Sequence, residues 1–388
     1  MDGEAAGKVT NAMDPRDTEF VSEGNRETGG GGKELPEDGG GQASMAPGNP
    51  PSYDGSYRER GGAWHWFPKQ EGVLLAVVVI EWFYFNATGQ NFGTLDSTFD
   101  ILRHSVEIGL LAIVMTPIIL TGGIDLSLGS LMGLCAILFG KLWRDAGLPS
   151  WSAGLAALAI GALGGALNAA LITQLRLPPL IVTLGTYSLF RGLAEAITHG
   201  VDTFTNFPAS FLFLGQERWM GIPAQAPVFI VVAVGVWLLV HCTTYGRCFR
   251  AIGFSPESAR YAGIPVNRRL ALAYVLGGLV SGLAAILYTA RLGQARADAG
   301  SGYELFAITT VVLGGTSIFG GIGSVNGTLL GVAAIGVLND GLLHAGQPRE
   351  VAGMLTGLLL VLALAANALI DRWAKTKNPI NSRNQNSQ

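Results

Sequence analysis

GRCFRAIGFSPESARYAGI, residues 246–264, is a short polar and basic segment set between two long apolar runs. Ser255 is a preferred N-cap, and Pro256 suits the first helical position. Glu257 favours the positive N-terminal end, Arg260 falls in the last turn, and Gly263 can close it. This spacing predicts a helix of about two turns, too short to stand alone in water. It must be held from both sides, by membrane helices on one and by another protein on the other.

The rest of the chain supplies the membrane helices. Of 388 residues, 49% are hydrophobic and 14% are charged, and the mean hydropathy is +0.38. Soluble domains carry about 25% charged residues, so this composition argues against one. The charge is also uneven. Residues 1–60 hold six Lys and Arg against twelve Asp and Glu, with runs such as GGGGKELPEDGGG. That stretch lacks the apolar content to fold and is expected to be a disordered acidic cytoplasmic tail. It has no apolar signal-peptide core, so export through the N-terminus is not expected. Cys135, Cys242 and Cys248 have no CxxC spacing, which points to neither a disulfide framework nor a metal site.

Beyond residue 60, long apolar runs alternate with short connectors. Ten spans are expected, at about 66–86, 101–121, 127–143, 151–173, 180–199, 227–241, 269–290, 303–319, 325–343 and 351–370. Crossing the hydrocarbon takes about 20 residues of helix. The runs at 127–143 and 303–319 are short, and are expected to be tilted, broken or re-entrant. The pattern lacks the polar alternation of a barrel, leaving an all-α polytopic membrane protein. Its parts are the tail at 1–60, a membrane domain at 61–371 with the 246–264 loop inside it, and a C-terminal tail at 372–388.

Orientation follows from Lys and Arg. With the N-terminus inside, thirteen basic residues fall on inner segments and seven on outer ones. That puts 246–264 in the cytoplasm with both termini. Residues 181–192, IVTLGTYSLFRG, also align without gaps to 310–321, TVVLGGTSIFGG. Either this is an inverted repeat, which points to a substrate pathway near the midplane, or two Gly-rich apolar helices resemble each other by composition.

Polar residues in apolar context are the site candidates. Asp125, in TGGIDLSLGS, reads either as a pathway residue or as a helix cap assisted by Ser127 and Ser130. Arg191 and Glu195, at i and i+4, read as a surface pair rather than a substrate contact. Asp340, after Asn339, faces either a cavity or a polar helix contact. Gly278-x3-Gly282 and Gly161, Gly164, Gly165 with Ala169 read as close helix packing. No GxxxxGK[ST], HExxH or GxSxG occurs, so the motifs for ATP phosphates, zinc proteolysis and a serine nucleophile are absent. His65, His104, His199, His241 and His344 are scattered and read as interfacial residues.

Four blocks carry a family resemblance: TGGIDLSLGS at 121–130, LRLPPLIVTLGTYSLFRGLA at 175–194, the AIGFSPESARYAGI loop, and GSGYELFAITTVVLGGTSIFGGIGSVNGTLLG at 300–331. In that order, over about 101–370, the chain resembles the permease subunits of bacterial ABC importers for ribose and related monosaccharides, whose relatives include rhamnose and autoinducer-2 permeases. The resemblance implies a multi-pass protein of the bacterial inner membrane that hydrolyses nothing and needs no cofactor or metal. Its implied partners are an ABC ATPase, a second permease copy or sister permease, a periplasmic sugar-binding protein and membrane lipid, with no nucleic acid. It puts Gly253, Ser255, Pro256, Ala259, Arg260 and Gly263 in the helix that couples to the ATPase, with Ala259 presented to the partner's cleft. A weakly polar pathway would draw on Asp125, Ser127, Ser130, Thr186, Ser188, Thr316, Ser317 and Asp340. Ser255-Pro256 stands where Asn is frequent, and Phe306 where an acid is frequent. The 344–353 connector, HAGQPREVAG, departs from the ribose-type pattern and points towards a deoxysugar or autoinducer-2 relative. Two rivals are a secondary transporter, which should carry paired intramembrane acids where only Asp125 and Asp340 stand out, and a receptor or structural membrane protein.

Overall fold

The computed structural model describes residues 67–89 and 92–376. The acidic tail expected at 1–60 and the end of the C-terminal tail lie outside the described residues. Within them the chain forms, in order, α1 (Phe67–Thr88), α2 (Leu95–Leu120), α3 (Leu128–Arg144), α4 (Ser150–Thr173), α5 (Pro179–Ile197), α6 (Ala209–Gln216), the strands β1 (Arg218–Trp219) and β2 (Ile222–Pro223), then α7 (Ala226–Trp237), α8 (Thr244–Phe254), α9 (Pro256–Tyr261), α10 (Val266–Leu292), α11 (Tyr303–Leu313), α12 (Val325–His344) and α13 (Arg349–Thr376). The strands form one antiparallel hairpin. Each expected apolar run carries a helix, although the run at 303–319 leaves its helix at Leu313.

Among the described residues, six helices are long and apolar enough to cross a membrane: α1 from Glu71, α2, α4, α5, α10 and α12. α7 continues through a widened turn to Cys242 and then bends by 68° into α8, and the two together have the length and apolar character of a broken span or a re-entrant loop. Of the two runs expected to be short, 303–319 is interrupted where α11 ends at Leu313, and 127–143 forms one short unbroken helix, α3. α3 has 17 residues and α11 has 11. At 1.5 Å per residue α11 reaches about 16 Å, roughly half the hydrocarbon thickness.

Packing is set by small residues. A Cβ on Gly161 of α4 would run into Gly278 of α10, and one on Gly282 would stand 2.8 Å from the Ala157 carbonyl oxygen. The glycine stripes read from the sequence therefore meet each other, and α4 and α10 touch backbone to backbone, as membrane helices do where side chains are absent. α2 and α10 run antiparallel. Glu107 of α2 meets Arg291 near the end of α10, while Ile118 meets Gly277 nearer its start.

An inverted arrangement organises the bundle, but not the one read from 181–192 and 310–321. The first of those stretches lies wholly in α5, and the second leaves α11 at Leu313 for a glycine-rich loop. They are not structural counterparts. The correspondence lies between α2–α5 and α10–α13. α10 packs on α4 as α2 packs on α12, and α10 packs on α3 as α2 packs on α11. α3 packs on α4 and α5, and α11 on α12 and α13. Because α2 and α10 are antiparallel, the second set is the first one turned over.

Candidate functional site

Two short helices begin inside the bundle. α2 ends at Leu120, and the chain passes through Thr121–Leu126 before α3. Asp125 organises that break. Its Oδ1 accepts hydrogen bonds from the Ser127 N–H at 2.9 Å and from the Ser127 hydroxyl at 2.6 Å. Asn168 of α4 donates to Ser127 Oγ at 2.8 Å, and the Ser130 hydroxyl donates to the Ser127 carbonyl at 3.0 Å. Asp125, Ser127, Ser130 and Asn168 are all fully buried. Asp125 therefore holds the first turn of α3 at the positive end of its dipole. Its second oxygen, Oδ2, makes no hydrogen bond.

The second start comes from the opposite end. The connector 293–302 dips into the bundle, where one Arg191 guanidinium nitrogen donates to the carbonyls of Ala297 and Ala299. Glu304 is 6% exposed, and its Oε1 accepts from the Gly302 N–H at 3.2 Å at the start of α11. A Cβ on Gly129 would collide with Gly300 and Glu304, so the starts of α3 and α11 abut. Each broken helix thus opens on a buried acid. Glu304 escapes the sequence reading because it lies among residues quoted for resemblance, yet an acid two residues after a glycine at a helix start is a cap signal. Arg191 reaches the connector, not Glu195, so no surface pair forms between them.

The other pathway candidates do not converge on this centre. Thr186 is buried and returns its hydroxyl to Val182 of its own helix at 3.1 Å. Ser188 is exposed on α5 beside Gly185, Leu189 and Gly192. Thr316 is buried against Gly323, and the Ser317 N–H donates to the Ile322 carbonyl at 2.9 Å within the loop after α11. Asp340 lies near the far end of α12, between His104 Nδ1 at 3.3 Å and His344 Nδ1 at 3.3 Å. It lines a cavity and makes a polar helix contact at once.

At the end of the bundle where α2 finishes, α8 and α9 form a bracket. Ser255 caps α9 by accepting from the Ser258 N–H at 3.2 Å, Pro256 is its first residue, and Gly263 turns the chain away at φ 79°. The expected orientation of Ala259 needs correction. It is 4% exposed and packs with Ile252 and Val266 beneath the helix, because a six-residue helix needs an apolar foot. Glu257, Arg260 and Tyr261 face outward, Tyr261 at 93% exposure. Gly253 also points inward. A Cβ there would collide with the Leu120 carbonyl and with Gly321. Arg250 adds hydrogen bonds to the Val240 carbonyl at 3.3 Å and the Gly323 carbonyl at 3.4 Å. The Gly321 N–H donates to the Leu120 carbonyl at 2.9 Å. One bracket thereby grips both the end of α2 and the loop after α11. Among the described residues no group of His, Cys, Asp and Glu is arranged to hold a metal.

Residues 97–364 match a family described as branched-chain amino acid transport system / permease component. The chain is 38% identical over 323 residues to the autoinducer 2 import system permease protein LsrD of Escherichia coli K12, covering 80% of this chain and 98% of that protein. The same identity and coverage hold for the LsrD proteins of Shigella flexneri and Escherichia coli O157:H7. No solved structure matches the chain. With both a family match over most of its length and relatives spanned almost end to end, the chain belongs to this family of transport-system permease components and is the membrane-spanning permease of an ATP-driven importer, not an enzyme.

Proposed function

We propose that the chain imports autoinducer 2 or a similarly compact sugar-like solute, handed over by a periplasmic binding protein and driven by a separate ABC ATPase. The observation that carries the coupling half is the bracket. The outer face of α9 is free for a partner, and α8 beside it is fastened through Gly253 and Arg250 to the end of α2 and to the loop after α11. The ATPase side is the cytoplasm, which puts α9 and the N-terminus inside. Of the residues assigned to coupling, Arg260 takes the contact, Ser255, Pro256 and Gly263 shape the helix, and Gly253 and Ala259 seat it. The solute half rests on the likeness to the autoinducer 2 permeases over 80% of this chain and on the departures in 344–353 from the ribose-type pattern.

The pathway runs along α5, against a second copy or a sister permease. Gly185, Ser188, Gly192 and Glu195 are exposed on that helix. Lipid tails offer nothing to a serine or a carboxylate at such positions, and small residues permit close approach of another chain. Asp125 and Glu304 hold the helix starts behind that face.

Reconstitution tests the reading. The chain, its ATPase and its binding protein are placed in liposomes, and ATP turnover is measured with the binding protein empty, loaded with autoinducer 2, or loaded with ribose. Stimulation by autoinducer 2 well above that by ribose is expected. Stimulation by ribose alone would return the solute to the ribose class. No copurifying ATPase would remove the importer reading.

A further inference from the structure

A cavity of about 320 Å³ opens among α2, α11, α12, the end of α10 and the start of α13, away from α9. Its size is that of a small-molecule site. Its lining is mostly apolar, with polar groups gathered on two walls. On one wall stand Asp340 and Asn339. Asp340 is 4% exposed, and its Oδ1 lies 3.3 Å from His104 Nδ1. Its Oδ2 accepts no hydrogen bond, although His344 Nδ1 is 3.3 Å away, and Asn339 Oδ1 is a buried acceptor with no donor. On the other wall stands Arg291, 13% exposed, held at 2.8 Å by the fully buried Glu107, with Tyr303 beside it in the lining.

We infer that this cavity is a solute-binding site within a single chain, and that it takes a small uncharged polyol. Buried acceptors without donors carry a desolvation cost that a ligand can remove. Hydroxyls suit both walls, because each donates to the Asn339 and Asp340 oxygens and accepts from Arg291 or Tyr303. Free ions suit them less. Glu107 already neutralises Arg291, so a carboxylate would enter facing Asp340 with no cation to spare. The apolar floor of Ile108, Val332 and Ile335 covers the ring or carbon face of such a solute. The inference rests on the import reading for its substrate class, and it adds a place, apart from the α5 face, where the chain holds solute.

The test uses cysteine protection on the full chain in nanodiscs with its ATPase. Cys242 and Cys248 are replaced by Ser to remove reactive background, and Ser105, in the cavity lining, is changed by Ser105→Cys. A membrane-impermeant thiosulfonate is added alone or with autoinducer 2, D-ribose or L-leucine. Modification is expected, slowed by autoinducer 2 or ribose and not by leucine. Adding Asp340→Asn should leave the unprotected rate unchanged and raise the protecting concentration roughly tenfold, the worth of one charge-assisted hydrogen bond. Equal protection by leucine, absence of protection by both polyols, or protection unchanged by Asp340→Asn would overturn the site. Protection needs no ATP, so it is read apart from uptake. Loss of ATP-driven uptake with protection intact would count against the import reading alone.

Discussion

Gly253 of α8 and Gly320 of the loop after α11 lie backbone to backbone. A methyl on Gly253 would stand 3.0 Å from the Gly320 carbonyl carbon, and one on Gly320 would stand 2.9 Å from the Gly253 Cα. That contact joins the segment carrying α9 to a broken span with no side chain between them. Backbone cannot swing aside as a long side chain can, so displacement of α8 must displace the loop.

Gly253→Ala should therefore loosen transmission more than folding. Overpacking costs about 1–3 kcal/mol in a closed site, and here it would push α8 off Leu120 and Gly321. The chain is expected to insert and bind its ATPase, while stimulation of ATP turnover by loaded binding protein falls by about tenfold or more. Arg250→Gln, which loses the guanidinium reach to Gly323, should weaken stimulation in the same direction and by less. Unchanged stimulation in Gly253→Ala would disconnect α8 from the breaks.

The two sides of α9 should separate partner binding from local folding. Tyr261→Ala removes an exposed ring, so copurification of the ATPase should drop while the melting temperature of the solubilised chain holds. Ala259→Trp forces a large ring into the space between Ile252 and Val266, and should lower both. Ser255→Ala loses the cap, worth about 1 kcal/mol, and should reduce ATPase retention modestly. Retained ATPase binding in Tyr261→Ala would move the contact to another face.

The buried pair Glu107–Arg291, 2.8 Å apart, ties the two inverted halves together. Removing one partner strands the other charge, at a cost of about 3–5 kcal/mol. Glu107→Gln alone should therefore lower the melting temperature sharply, and Glu107→Gln with Arg291→Met should regain most of the loss. A double variant as unstable as the single one would show that Arg291 has other obligatory partners.

The helices were legible because apolar runs, caps and glycine stripes are local signals. Ser255, Pro256 and Gly263 fix α9 from adjacent residues, and the runs at 127–143 and 303–319 show by their length that their helices are short. What escaped was set by distant chain. Nothing next to Ala259 in sequence says that Ile252 and Val266 fold over it. Gly253 read as part of a docking helix because its contacts, Leu120 and Gly321, lie far along the chain. Of the two readings of the likeness between 181–192 and 310–321, the compositional one fits, because twelve-residue likeness follows composition while packing order follows whole helices. Asp340 was found as an intramembrane acid, but its histidine partners come from α2 and from the end of its own helix.

Asp125 decides whether the central break needs a charge or only a cap. Its Oδ1 serves the Ser127 N–H and hydroxyl, and an amide oxygen can accept both bonds. Asp125→Asn should keep the first turn of α3, because Asn caps as well as Asp. Asp125→Leu leaves the Ser127 N–H without an acceptor in a fully buried position, a cost of about 1–3 kcal/mol, and Asn168 loses a properly held Ser127 hydroxyl. Uptake and the yield of folded protein should therefore survive Asn and fall together with Leu. If Asn lowers uptake while the folded yield stays at that of the unaltered chain, the free Oδ2 contributes charge to the pathway and the cap is only part of its role. Full uptake by the Leu variant would mean that α3 starts without Asp125, held instead by Asn168 and Ser130 on Ser127 and by Thr183 of α5, whose hydroxyl donates to the Ile124 carbonyl at 3.0 Å.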